Sequence, residues 1–213
     1  MCALEYIAPS SFELQFATNH LGHFQLTLLL KPALVKANGA RVVSVASWGH
    51  RRSPVVFDDI NFEHRPYDPM LAYGQSKTAN VLFALGLDQR WRSEHIRAFS
   101  VHPGMIVTNL GNENPNLPAV LKSIGMFDEE GKPVLDPDRQ LKTVGQGAST
   151  NVFAAVSPKL NGLGGLYLEN NEVTYTLPDD NVKPPLLGLY THARNIAAAK
   201  QLWDLSKHVV FGK

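Results

Sequence analysis

The chain has 213 residues, 44% of them apolar and 18% charged, a composition typical of a soluble globular protein with one domain, residues 1–213. Its 20 basic and 19 acidic residues leave a net charge of +1, which removes the electrostatic reason to expect nucleic acid or an anionic membrane as partner. Cys2 is the only cysteine, so an internal disulfide is excluded, and no apolar run approaches the ~20 residues of a transmembrane helix. The first residues lack the basic start and apolar run of a signal peptide, and a cytoplasmic location is the default expectation.

Ser10-Ser11-Phe12-Glu13 offers an N-cap serine followed by an acidic first turn. Phe12, Phe16, Leu21, Phe24 and Leu28 then recur at helical spacing, predicting a helix that runs towards Val35 and stops at Asn38-Gly39. The phenylalanines read as core. The β-branched run from Arg41 to Ser47 predicts a buried strand. A polar, proline-containing segment leads to a second long helix over about Met70 to Trp91. Ile96 to Val101 predicts a second strand, stopped by Pro103-Gly104. Residues 109–138 are rich in Asn, Pro and Gly, with a short helical signal at Pro118 to Ile124, and a loop of that length is expected to be functional or mobile. A helix over Arg139 to Val156, a strand at Gly164 to Leu168 and a final helix over Leu187 to Lys207 complete the reading. The alternation of helix and strand favours an α/β fold with a parallel sheet.

The sharpest local feature is Tyr73-Gly74-Gln75-Ser76-Lys77. Positions four apart share a helix face, so the phenol and the ammonium can enter one site. A free tyrosine titrates near ~10, and bringing it to about 7 takes roughly 4 kcal/mol of differential stabilisation. A nearby ammonium contributes to that. Ser47 ends a predicted strand, and His102-Pro103-Gly104-Met105-Ile106-Val107-Thr108 follows the next, so both reach the carboxyl edge of the sheet, where α/β folds place ligands. Asn19 and Gly22 are poor choices inside a helix, and such a local conflict marks a bend or a site. Ser44 is the competing serine, but it lies an odd number of residues from Ser47 and should face the other side of the strand.

The ordered set Asn19-His20-Leu21-Gly22-His23-Phe24, Ser47, Tyr73-x-x-x-Lys77 and Pro103-Gly104-x-x-x-Thr108 resembles the short-chain dehydrogenase/reductase family. The branch it most resembles contains retinol dehydrogenases and NADP-dependent carbonyl reductases. Ala79-Asn80-Val81-Leu82-Phe83 and Ala199 to Ser206 extend the likeness over nearly the whole chain. Tyr73 follows Ser47 by 26 positions, longer than in many members but compatible with that branch.

The resemblance implies an NAD(P)-dependent oxidoreductase that interconverts a carbonyl and an alcohol, with a small-molecule substrate and NADP or NAD as cofactor. It makes Tyr73 the general acid-base, Lys77 its modulator and ribose contact, Ser47 the residue that orients the substrate oxygen, and Asn19 the holder of a relay water. Pro103, Gly104, Ile106 and Thr108 would border the nicotinamide. The implied fold is a partial Rossmann-like, doubly wound parallel sheet lacking its N-terminal strands. The glycine-rich turn that should bind the dinucleotide phosphates is not present, and by analogy roughly 80 to 110 residues precede this point in the family. The strand at Arg41 would then expose an unpaired apolar edge, an aggregation hazard that predicts an unstable chain or one that folds with a partner. Helices like those around Asn19 and Tyr73 often form dimer contacts in related proteins, so the resemblance leaves a homodimer possible.

Two glycine-rich stretches do not replace the missing turn: Gly145 to Thr150 sits inside a predicted helix, and Gly162 to Gly165 leads into a strand. His20 and His23, three apart, lack further ligands and a His-Glu-x-x-His pattern, so no metal is expected. The alternative function is a non-catalytic remnant that keeps the tetrad and acts through protein association.

Overall fold

The computed structural model describes residues 6–7, 12–108, 117–123, 125–177 and 187–212. The chain opens on a short antiparallel pair, β1 (Tyr6–Ile7) and β2 (Phe12–Glu13). The first helix is capped by Glu13 rather than by a serine. Its carboxylate accepts from the amides of Gln15 at 3.0 Å and Phe16 at 2.8 Å. Ser10 and Ser11 lie outside the described residues.

The expected single helix arrives in pieces: α1 (Leu14–Phe16), a π turn (Ala17–Leu21), α2 (Gly22–Leu29) and α3 (Lys31–Lys36). The π turn centres on Asn19, where helix propensity fails. The break at Leu30 precedes Pro32, whose ring is tolerated only in a helix's first turn. Asn38 and Gly39, at φ 49° and 136°, end α3 in the left-handed region as expected.

Next come β3 (Arg41–Val45) and α4 (Pro69–Trp91). Asp68 caps α4 through the amides of Met70 and Leu71, and Pro69 occupies the first turn. Then follow β4 (Arg97–His102), α5 (Leu117–Ser123), α6 (Val144–Val156), β5 (Leu166–Glu169), β6 (Glu172–Val173) and α7 (Ile196–Phe211). Two predicted helices start late. The segment before α6 forms a 3-10 turn capped by Asp136, and α6 itself opens on a Thr143–Gln146 capping box. Residues 187–190 are irregular, with Gly188 at φ 124°, Thr191–Arg194 form a 3-10 turn, and Asn195 caps α7.

The sheet runs β3-β4-β5-β6. β3 and β4 are parallel, with Arg41 opposite Arg97 and Val45 opposite Val101. β4 and β5 are parallel, pairing His102 with Glu169. β6 was not predicted. It returns antiparallel through Asn170-Asn171, both at positive φ, the conformation of a tight hairpin turn.

One face of the sheet carries α4, backed by α7. Phe83, Leu87 and Trp91 pack there with Phe24, Ala98 and Trp203. On the other face Ala154 of α6 packs with Phe99, Val101 and Leu168. Coverage of both faces explains why β4 is buried from Ala98 to His102, its polar Ser100 and His102 included. Among the described residues β3 pairs with β4 alone, and Val45 is 46% exposed at that edge. No described helix is long and apolar enough to cross a membrane.

Candidate active site

Three elements bring the predicted residues together at the carboxyl edge of the sheet. Ser47 lies just past β3 in extended backbone (φ −166°, ψ 156°), where it caps the 3-10 turn Trp48–Arg52 by accepting from the Gly49 amide at 3.0 Å. That turn lies flat on Tyr73: a Cβ added to Gly49 would fall 2.7 Å from Tyr73 Cε1. The close approach requires glycine and lets the Ser47 side chain hydrogen-bond the Tyr73 phenol. Ser44 pairs with Ser100 inside β3, so Ser47 is the serine at the tyrosine.

Tyr73 and Lys77 share one face of α4, with the ammonium 5.5 Å from the phenol ring centroid. Lys77 Nζ donates to the Val45 carbonyl at 3.2 Å, and Asn80 Nδ2 donates to the same oxygen at 3.1 Å. Asn19 reaches the helix from the π turn, donating to Ser76 Oγ at 3.0 Å. Ser76 in turn donates to the Tyr73 carbonyl at 2.8 Å. All four predicted residues therefore converge on α4.

Burial pushes the Tyr73 phenol up from its ordinary value of 10, and the Ser47 hydrogen bond only partly opposes this. The Lys77 ammonium rests on a backbone carbonyl rather than on the phenol oxygen. Tyr73 is thus neutral at physiological pH. Burial pulls Lys77 down from 10.5 to about 8. Below pH 8 the ammonium is charged in the folded and unfolded chain alike, so folding carries the full desolvation cost. Between 8 and 10.5 the folded chain releases its proton first, and stability rises with pH. Lys77→Met is expected to raise the thermal midpoint at neutral pH and to lose that advantage above about 10.5, as followed by thermal melts across pH.

The Pro103–Thr108 segment leaves β4 with Gly104 at φ 98°. It is fixed by backbone hydrogen bonds from Met105 to Gln140 and from Lys142 to Met105. Ile106 packs on Gly147 so closely that an added Cβ there would lie 2.6 Å from Ile106 Cδ1. Met105, Ile106, Val107, Met126, Val134 and Lys142 line an open cleft of about 340 Å³. Thr108 is exposed, at the margin of the described residues. Of the four predicted nicotinamide-bordering residues, Ile106 lines this cleft, and Gly104 sits against the Lys142 side chain and the Gln140 carbonyl.

Several polar residues around the site were not singled out from sequence. His102, at the end of β4, accepts from the Trp48 amide at 3.2 Å through Nδ1. Burial, with the charges of His50, Lys142 and Arg51, lowers it to about 3, so it stays neutral. Glu169, buried at the end of β5, accepts from the Gly188 amide, Thr174 and Tyr167. Their only sequence signal was position: His50 and Arg51 follow Ser47, and His102 precedes Pro103-Gly104.

The histidine pair in the first helix is split by the π turn. His20 is buried and bonded to Ser206 Oγ at 2.7 Å, whereas His23 is exposed and bonded to the Asn19 carbonyl. Gly145 to Thr150 lies in α6, and Gly164 makes room for the Asp88 carboxylate that grips Arg97.

The short chain dehydrogenase family model matches residues 2–117, just over half of the sequence. The chain belongs to the short chain dehydrogenase family. Within it, a Streptomyces lividans protein named "Probable oxidoreductase" is 41% identical over 198 residues, covering 93% of this chain and 64% of that protein. Human retinol dehydrogenase 14 is 33% identical over 199 residues, covering 93% of this chain and 52% of its own length. A crystal structure of an uncharacterized Mycobacterium paratuberculosis protein superposes with a TM-score of 0.64 at 28% identity, covering 99% of this chain and 63% of that one. The chain therefore spans between about half and two thirds of the length of these short chain dehydrogenase relatives.

Proposed function

We propose that this chain carries the proton-transfer half of an NAD(P)-dependent oxidoreductase acting on a carbonyl or an alcohol. The observation that carries this reading is the Ser47 hydrogen bond to a half-buried, protonated Tyr73 with Lys77 on the same helix face. In reduction the Tyr73 hydroxyl gives its proton to the substrate oxygen; in oxidation its phenolate takes one back. Ser47 holds that oxygen against the phenol. Asn19, tied to α4 through Ser76, holds the centre of the π turn against that helix.

The residues present fit the nicotinamide-ribose end of a dinucleotide. Lys77 has three donors and, among the described residues, one recorded acceptor, the Val45 carbonyl, so N–H groups remain for ribose hydroxyls. Asn80 Oδ1 is a buried acceptor without a partner among the described residues, three positions along the same helix face. Lys77 would hold the ribose, and the Pro103–Thr108 segment would wall the nicotinamide. The dinucleotide, when bound, supplies the hydride, and the chain supplies orientation and the proton. Either NADP or NAD suits these residues, since they are assigned to the nicotinamide ribose and not to the adenosine ribose 2′ position that separates the two.

Titration of the purified chain with NADPH and NADH, read by nicotinamide fluorescence, tests the reading. Saturable binding at micromolar concentration is expected. A folded chain that binds neither nucleotide would contradict it and favour the second reading, a protein that keeps these residues but acts by association. The exposed Leu26, Leu29 and Leu30 at the end of α2 are the observation in favour of that second reading.

A further inference from the structure

The turn that carries Ser47 is tied to a distant segment of the chain through one side chain. His50 is 0% exposed, and backbone groups engage both of its ring nitrogens. Nδ1 lies 2.7 Å from the Ser47 carbonyl, which can only accept, so Nδ1 carries the proton. Nε2 is then the acceptor for the Tyr190 amide at 3.3 Å. The ring is boxed in by edge-on packing against Tyr167 at 5.2 Å and Tyr190 at 6.1 Å. Its own carbonyl accepts from Thr78 of α4 and from His192.

Tyr190 belongs to a strap, residues 187–194, held at several further points. Gly188 is gripped on both sides of its peptide: its amide donates to Glu169 at 2.9 Å, and its carbonyl accepts from Arg51 at 2.7 Å. Leu189 exchanges backbone hydrogen bonds with Tyr175 and Leu177, and Arg194 donates to Thr176. The strap thus hangs from the β5–β6 hairpin and its flank on one side, and from the residues after Ser47 on the other.

We infer that His50 is a positioning residue that couples the strap to Ser47, so that whatever seats against residues 187–194 adjusts the Ser47–Tyr73 hydrogen bond. Leverage comes from closeness. The turn has no slack against Tyr73, because Gly49 already meets the phenol ring, and Trp48 is held from behind by His102. A displacement of Tyr190 pulls on Nε2, and the rigid imidazole passes it to the Ser47 carbonyl on the opposite side of the ring. The link is a property of the chain itself; its consequence for turnover rests on the proposed oxidoreductase reading. It makes the strap a determinant of which substrate places its oxygen productively.

The test is a double-mutant cycle on the full chain, read by amide hydrogen exchange at Gly49 and Tyr190, with no nucleotide present. Gly188→Ala perturbs the strap, because φ is 124° and a Cβ would meet Leu177 at 2.8 Å. With His50 intact, exchange should rise about three- to tenfold at Tyr190 and also at Gly49, the scale of one lost hydrogen bond. His50→Asn keeps a donor near the Nδ1 position but cannot reach Tyr190. In that background Gly188→Ala should no longer move Gly49. His50→Gln keeps an acceptor near Nε2 and should show the reverse pattern: Tyr190 protected, Gly49 loosened. If Gly188→Ala fails to fold, Glu169→Gln, which weakens the Gly188 amide anchor, takes its place. A strap perturbation that leaves Gly49 unchanged in the wild-type background would overturn the proposal. An equal rise at Gly49 with and without His50 would overturn it as well. Neither outcome bears on nucleotide binding, so the coupling and the oxidoreductase reading fail separately.

Discussion

Replacing Tyr73 by Phe is expected to lower turnover by about 10²- to 10⁴-fold while nucleotide affinity changes little, the range for losing a positioned proton donor. That loss corresponds to roughly 3 to 5 kcal/mol of barrier. The prediction follows from geometry: the phenol oxygen is the atom that Ser47 contacts, and the ring itself stays seated on Gly49 in the variant. Folding should be spared, since Phe fills the same volume. Loss of the hydroxyl leaves the Ser47 side chain still bonded to the Gly49 amide. Steady-state kinetics beside a fluorescence titration separates the two effects. A Tyr73→Phe protein with unchanged turnover would remove Tyr73 from the chemistry.

Phe24→Ala should produce the largest loss of stability, about 3–5 kcal/mol in urea denaturation. Phe24 is 0% exposed and holds three helices at one point, with its ring centroid 5.6 Å from Phe83 of α4 and 5.0 Å from Trp203 of α7. The cavity left behind cannot close easily, because His20 on the adjoining π turn is itself buried, aromatic-packed and bonded to α7. The midpoint should fall with little change in slope, since the surface exposed on unfolding stays nearly the same. A cost below about 1 kcal/mol would mean that α2 is not part of the cooperative core.

Much of the site was legible because its residues sit in strongly patterned elements. The Tyr73 helix is marked by Asp68-Pro69 at its start and by continuous apolar packing positions to Trp91, and it forms within a residue of expectation. The strands carrying Ser47 and Pro103 are β-branched or apolar runs closed by polar turns. Asn19 was flagged by poor helix propensity, and the backbone answers with a π turn at that place. The failures share a cause: local signals were overlooked or lacked local expression. Thr143 and Gln146 spell a capping box that starts α6 later than apolar periodicity suggested. Asn170-Asn171 made a hairpin of a single strand.

The polar surround of the site was hidden for a different reason. His50, His102, Arg51 and Glu169 look ordinary in sequence and acquire meaning only when β4 and β5 place them side by side. The environment of Tyr73 was only partly legible from sequence. Spacing alone puts an ammonium near a phenol; in the chain by itself, burial pushes the phenol up and the ammonium donates to the Val45 carbonyl.

The central claim is that these residues serve hydride chemistry at a carbonyl. The most direct measurement uses NADPH deuterated at both C4 positions, a panel of aliphatic and aromatic aldehydes and ketones, and mass spectrometry of the alcohol products. One deuterium on the carbinol carbon of a product, absent with Tyr73→Phe, is the predicted result. A chain that binds the nucleotide saturably yet transfers no label to any carbonyl would contradict the account.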